Sequence, residues 1–246
     1  MALIGFSSGS TRTPRGTLRR FFSGAAKVAA AVAAFAIALA AAQEPATGGD
    51  IAAGRVIAIA GVAQGRAACA ACHMPDGAGQ PEVGIPRLAG LTATYILDQL
   101  TFFAEGSRAN PAMQPFAKML TSEQRRQVAA YFGSLPVPAE SDLASHRASV
   151  LKTGKRLFQD GDFQTGLLGC ANCHGPGGQG VGNFVPRLAG QSTAYVAEQL
   201  NGWKTGGLRD PDGAFMRAEA SHLSDGDIAA VAAFVESLPD TKVARR

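Results

Sequence analysis

Two five-residue stretches constrain this chain more than any other feature: Cys69-Ala70-Ala71-Cys72-His73 and Cys170-Ala171-Asn172-Cys173-His174. Cys-x-x-Cys-His is the attachment signature of c-type haem, and its spacing has a chemical reason. Positions i, i+3 and i+4 of a helical turn share one face. Two thiols there reach the two vinyl groups of one porphyrin while the imidazole points at the iron. The two copies use all 4 cysteines of the chain. A four-thiolate zinc site also takes two Cys-x-x-Cys pairs, but Cys72 and Cys170 lie far beyond usual finger spacing, and zinc gives no reason for a histidine after each pair. A thioredoxin-like dithiol needs a βαβ context, and no such pattern surrounds either motif. The sequence therefore predicts two covalently bound haem c groups. Cys69, Cys72, Cys170 and Cys173 are the thioether donors, and His73 and His174 the proximal iron ligands. Thiols spent on thioethers leave none for a disulfide, so no disulfide is expected.

Residues 1–43 have Arg12, Arg15, Arg19, Arg20 and Lys27 as their only charges, and Val28 to Ala42 is an uncharged, Ala-rich run ending in Ala40-Ala41-Ala42. A basic start, a short apolar core and an Ala-x-Ala end make a secretory signal peptide. The run is shorter than the about 20 apolar residues of a membrane span; left uncleaved, it would tether the chain to the cytoplasmic membrane. Arg19-Arg20-Phe21-Phe22 looks like a twin-arginine signal but reads as ordinary leader charge. Export implies a periplasmic location. Taking the five leader charges from 23 Lys and Arg leaves 18 against 19 Asp and Glu, so the net charge of +4 belongs to the leader. The mature chain has no basic face for nucleic acid.

The rest of the sequence is a duplication. Residues 44–138 and 149–246 form two domains joined by a linker at 139–148. Each begins with a helix carrying a glycine, Gly54 or Gly154, and then has its haem motif. Pro86-Arg87-Leu88-Ala89-Gly90 is repeated as Pro186-Arg187-Leu188-Ala189-Gly190, and Tyr95-x-x-x-Gln99-Leu100 as Tyr195-x-x-x-Gln199-Leu200. Met113 and Met216 follow, each in a stretch that reads as a loop, and an Ala-Ala-aromatic helix ends both units in Ser-Leu-Pro. The class is all-α. Thr121-x-x-Gln124 and Ser224-x-x-Asp227 have the form of capping boxes, and Pro136 and Pro239 stop the last helices. His146 falls in the linker and is expected in solvent.

This order of landmarks resembles the di-haem cytochrome c4 family and covers nearly all of the mature chain. The resemblance implies two tandem class I cytochrome c domains, each wrapped around a covalent haem. It implies Met113 and Met216 as the distal axial ligands. Met119, Met74 and His222 are the rival donors. It also implies that the Pro86 and Pro186 carbonyls accept from the proximal imidazoles, a bond that fixes the ring and raises its basicity. Arg87 and Arg187 become candidate donors to haem propionates. Gly54 and Gly154 would let the first helix approach Tyr131 and Phe234 of the last. The chain departs from the family pattern at Leu91, where the second copy has Gln191; if that glutamine orders a propionate, the first haem lacks the contact.

The resemblance further implies periplasmic transfer of single electrons between respiratory partners, without catalysis. Two closed His/Met sites leave no position for a substrate, and Met ligation raises the potential, which suits delivery towards a terminal oxidase. Expected partners are an electron-donor complex and a terminal oxidase or dehydrogenase, with peripheral membrane association. One alternative is a cytochrome subunit of a periplasmic dehydrogenase complex. The enzymatic one is a di-haem peroxidase or thiosulfate dehydrogenase; a Cys-ligated catalytic haem would require a fifth cysteine.

Overall fold

The computed structural model describes residues 48–62, 68–137, 146–206 and 213–239. The leader lies outside them, as do residue 138, residues 139–145 of the linker and 207–212 ahead of Met216. Among the described residues no helix is long and apolar enough to cross a membrane, and β pairing is confined to isolated bridges such as Gln80–Ile85 and Asp162–Leu167.

The helices come in two matching runs. The first is α1 (Gly48–Ala60), α2 (Ala70–His73), α3 (Ala93–Glu105), α4 (Met113–Met119) and α5 (Ser122–Ser134). The second is α6 (Ala148–Asp160), α7 (Ala171–His174), α8 (Thr193–Lys204), α9 (Ala214–Ser221) and α10 (Asp225–Ser237). Local chemistry sets their starts. The Thr92 and Ser192 hydroxyls accept from the Tyr95 and Tyr195 amides and begin α3 and α8. Both capping boxes form with both arms, at Thr121–Gln124 and Ser224–Asp227. The N-cap oxygen satisfies an orphan amide while the N3 side chain returns the favour.

The methionine segments are helical rather than looped. Met113 opens α4, and Met216 is the third residue of α9. The cause in the first half is Asn110, whose Oδ1 accepts from the Ala112 and Met113 amides at 3.0 and 2.9 Å. Asn110-Pro111 is thus a helix start, the asparagine satisfying first-turn amides that have no partner within the helix.

Each run has its own core. In the first, α1 and α3 pack on α5 and α4 packs on α3; in the second, α6 and α8 pack on α10 and α9 packs on α8. Phe132 and Phe158 are fully buried at these centres, with Leu100 and Val128 in one and Leu200 and Ile228 in the other. The α1–α5 and α6–α10 crossings depend on the two glycines. A Cβ built on Gly54 would lie 1.9 Å from the Gln127 carbonyl oxygen, and one on Gly154 2.0 Å from that of Ala230. Tyr131 and Phe234 stand at the crossings, their Cβ atoms 3.0 and 2.7 Å from the same points.

His146 is not in solvent. Its Nε2 meets Glu236 Oε2 at 2.7 Å, and its side chain is 19% exposed. Glu236 also accepts from the Thr193 amide at 3.1 Å and hydroxyl at 2.8 Å. Burial alone would raise this carboxyl, but the hydrogen bonds from His146 and Thr193 outweigh it and hold the group below the usual value. The partner lies in a helix far along the chain, so nothing local to His146 announces the pairing.

The crossings give a direct test. Gly154→Ala should gain up to about 1 kcal/mol of helix propensity but lose more to overlap with a backbone carbonyl that cannot move aside. The expected net cost is about 2 kcal/mol, read as a fall of several degrees in the second half's thermal transition. Gly202→Ala in α8, whose Cβ would meet nothing within 4 Å, should leave the transition unchanged or raise it.

Candidate functional site

The two Cys-x-x-Cys-His stretches form one helical turn each. His73 N donates to Cys69 O at 2.9 Å and His174 N to Cys170 O at 2.9 Å. The first cysteine of each turn is partly buried and the second exposed. Burial raises both inner thiols, Cys170 to about 11. Each turn ends at a residue of positive φ, Met74 with φ 63° and Gly175 with φ 81°.

Both histidines are 7% exposed. His73 Nδ1 lies 3.0 Å from Pro86 O, and His174 Nδ1 lies 2.9 Å from Pro186 O. A carbonyl only accepts, so Nδ1 carries the proton and Nε2 keeps its lone pair. Burial lowers both imidazoles, with the proline carbonyl acting in the opposite direction. Each ring is thus neutral, oriented and left with one donor atom. The loop that carries Pro86 is pinned back on the turn: Gly79 N donates to His73 O at 3.1 Å, and Gln80 Nε2 to Cys72 O at 2.9 Å.

This donor set fits a haem. Two thiols and a neutral imidazole with a free Nε2 share one turn, and Ile57, Val62, Phe116, Met119 and Leu120 line an apolar cleft beside Cys69. Of the distal candidates, Met113 packs against the first core and Met216 against the second, each partly buried. Met119 lines the cleft. Met74 is 40% exposed next to the proximal His73. His222 caps the end of α9, its ring about 3.6 Å from a Cβ built on Gly166.

Residues 151–239 match the family described as Cytochrome c, and residues 58–132 that described as Cytochrome C oxidase, cbb3-type, subunit III. A Cytochrome c4 of Thiocapsa roseopersicina is 37% identical over 187 residues, spanning 73% of this chain and 91% of that one. The chain belongs to the cytochrome c4 family. It holds two covalently bound haem c groups and is an electron-transfer protein. A Thiosulfate dehydrogenase electron acceptor of Thiomonas intermedia (strain K12) is 38% identical over 173 residues, covering 70% of this chain and 79% of the relative. The structure of a thiosulfate dehydrogenase (TsdBA) from Marichromatium purpuratum superposes with a TM-score of 0.69 at 37% identity. That likeness covers 80% of this cytochrome and 42% of the other chain.

The cytochrome's halves meet along a seam built by the repeated Pro-Arg-Leu-Ala-Gly motifs. Arg87 Nη2 donates to the Ala189 carbonyl, and a Cβ on Gly190 would lie 2.8 Å from Arg87 Nη1. Reciprocally, a Cβ on Gly90 would lie 3.3 Å from Arg187 Cδ. Each glycine makes room for the other half's arginine. Gln191 joins the seam too: its side-chain amide bonds both the N–H and the carbonyl of Arg87. The seam's other anchor is Arg108, which escaped the sequence reading. It is 6% exposed, stacks over Phe103 at 4.4 Å, and bonds Gln99 of its own half with Tyr195 and Gln199 of the other. The repeated Tyr-x-x-x-Gln was the available signal, since Gln99, Tyr195 and Gln199 of its two copies converge on one cation.

One contact distinguishes the first haem turn. Tyr131 OH donates to Pro75 O at 2.7 Å, two residues beyond His73. Phe234, its counterpart, has no hydroxyl. Tyr131→Phe should therefore cost about 1 kcal/mol in denaturant unfolding of the first half and leave the second half's transition in place.

Proposed function

We propose that this cytochrome is exported to the periplasm and carries single electrons between respiratory partners, towards a terminal oxidase. The observation that carries the reading is the pair of buried, neutral imidazoles, each fixed by a proline carbonyl on a turn bearing two cysteines. Haem iron supplies a one-electron ferrous–ferric couple. The chain's residues hold that couple in place and tune it. His73 and Met113 are the proposed axial pair in the first half, His174 and Met216 in the second. A thioether donor favours the ferrous state and raises the potential. Arg87 and Arg187 have five N–H donors each, enough to serve the seam and a propionate together.

A more specific donor is supported by the Thiomonas intermedia relative, which is a thiosulfate dehydrogenase electron acceptor. The corresponding role here is to receive electrons from a periplasmic dehydrogenase of that kind. Mixing the ferric cytochrome with thiosulfate and a thiosulfate dehydrogenase tests it. Haem reduction at a rate proportional to dehydrogenase supports this donor. Reduction only by a quinol-oxidising complex assigns the cytochrome to a respiratory donor instead.

The axial pair has its own test. Met113→His should lower the first haem's potential and leave the second nearly unchanged, with Met216→His doing the reverse. The sulfur-to-iron charge-transfer band of the ferric protein should halve in each. Halving instead in a Met119 variant would move the first ligand there, and a band that a Met216 variant leaves unchanged would point to His222, whose imidazole contributes none.

A further inference from the structure

The peptide that accepts the His73 hydrogen bond is gripped from its other end by the second half of the chain. The Pro86 carbonyl and the Arg87 N–H belong to one amide. Its oxygen accepts from His73 Nδ1 at 3.0 Å, and its N–H donates to Gln191 Oε1 at 3.0 Å. Gln191 Nε2 donates in turn to the Arg87 carbonyl at 3.0 Å. These bonds, with a third from Ser192 N to Oε1 at 3.2 Å, agree on which end of the glutamine is oxygen. Gln191 is 6% exposed. The matching position in the first half is Leu91, which has no polar side-chain atom and packs on the first core.

We infer that Gln191, a residue of the second half, is a positioning residue for the first haem, acting through the Pro86–Arg87 peptide across the seam. The inference rests on His73 being that haem's axial ligand. Hydrogen bonds in series polarise one another. An amide whose N–H is engaged holds more negative charge on its oxygen, so Pro86 O draws harder on the His73 Nδ1 proton. The imidazole becomes a more basic ligand, which favours ferric iron and lowers the potential. Leu91 gives the second haem no equivalent clasp. The influence therefore runs one way, and a substitution in one half is felt by the haem of the other.

The test uses the intact two-haem protein. Gln191→Leu introduces the residue that position 91 already carries. Potentials are followed through haem-methyl resonances assigned to each half, and the His73 Nδ1 proton is observed in the ferrous protein. The expected result is an upward shift of the first haem's potential, an unmoved second haem, and an upfield shift of the His73 proton as its hydrogen bond weakens. Tyr195→Phe cuts a different bond across the same seam and should reproduce none of this. The inference is overturned by an unmoved first haem, by equal movement of both haems, or by the same shift in Tyr195→Phe. If Gln191→Leu does not assemble, Gln191→Glu retains the acceptor oxygen and should keep the His73 proton at or downfield of its wild-type position; an upfield shift there also overturns it. The wild type separates the two readings. A first haem without a low-spin, histidine-ligated spectrum would refute the axial assignment itself, before any variant is compared.

Discussion

The hydrogen bond from a buried imidazole to a proline carbonyl, made once in each half at 3.0 and 2.9 Å, is the constraint on which the rest of the molecule depends. It selects the tautomer, fixes the ring plane and leaves Nε2 with its lone pair. The Gly-rich loops between motif and proline exist to deliver that carbonyl. In the first half the loop returns to the turn through Gly79 and Gln80, and the last helix closes over it, with the Phe132 ring edge-on to His73 at 6.5 Å between centroids. α1 reaches α5 only because Gly54 lets it.

The same loops also make the seam. Pro86 and Arg87 are adjacent, and so are Pro186 and Arg187. The residue that holds the proximal histidine is therefore bonded directly to the residue that reaches into the other half. Stabilising the interface and orienting the ligand are accordingly not independent tasks, since residues sharing a network couple energetically. The duplication supplies an approximate two-fold relation, with each arginine beside the opposite glycine. Point differences break it: Gln191 against Leu91 and Tyr131 against Phe234 each add a polar contact on the first haem's side alone. Two sites of common ancestry in sequence thereby come to differ without any change in their cysteines or histidines.

Much of this was legible in the sequence because it is local. The haem turns, both capping boxes and the proline stops each depend on residues within a few positions of one another, whereas the glycine crossings join Gly54 to Gln127 and Gly154 to Ala230 and were legible only through family resemblance. The proline carbonyl contacts were legible only through family resemblance, because spacing alone does not say which loop carbonyl turns inward. Asn110-Pro111 was read as a loop although it caps a helix, since such a pair serves turns and helix starts alike. The contacts of His146, Arg108 and Gln191 are not announced by the sequence, for one reason. Each finds its partner about ninety residues or more away, at 236, 199 and 87, and nothing local to a polar residue names so remote a partner.

Two similar haem domains are joined so that His73 and His174 sit in unequal surroundings. A potentiometric titration of the intact protein, followed optically, tests it most directly. Two one-electron steps at different potentials are expected, both from low-spin haem. A single step in which the two haems are indistinguishable, or a spectrum with only one haem per chain, would contradict it.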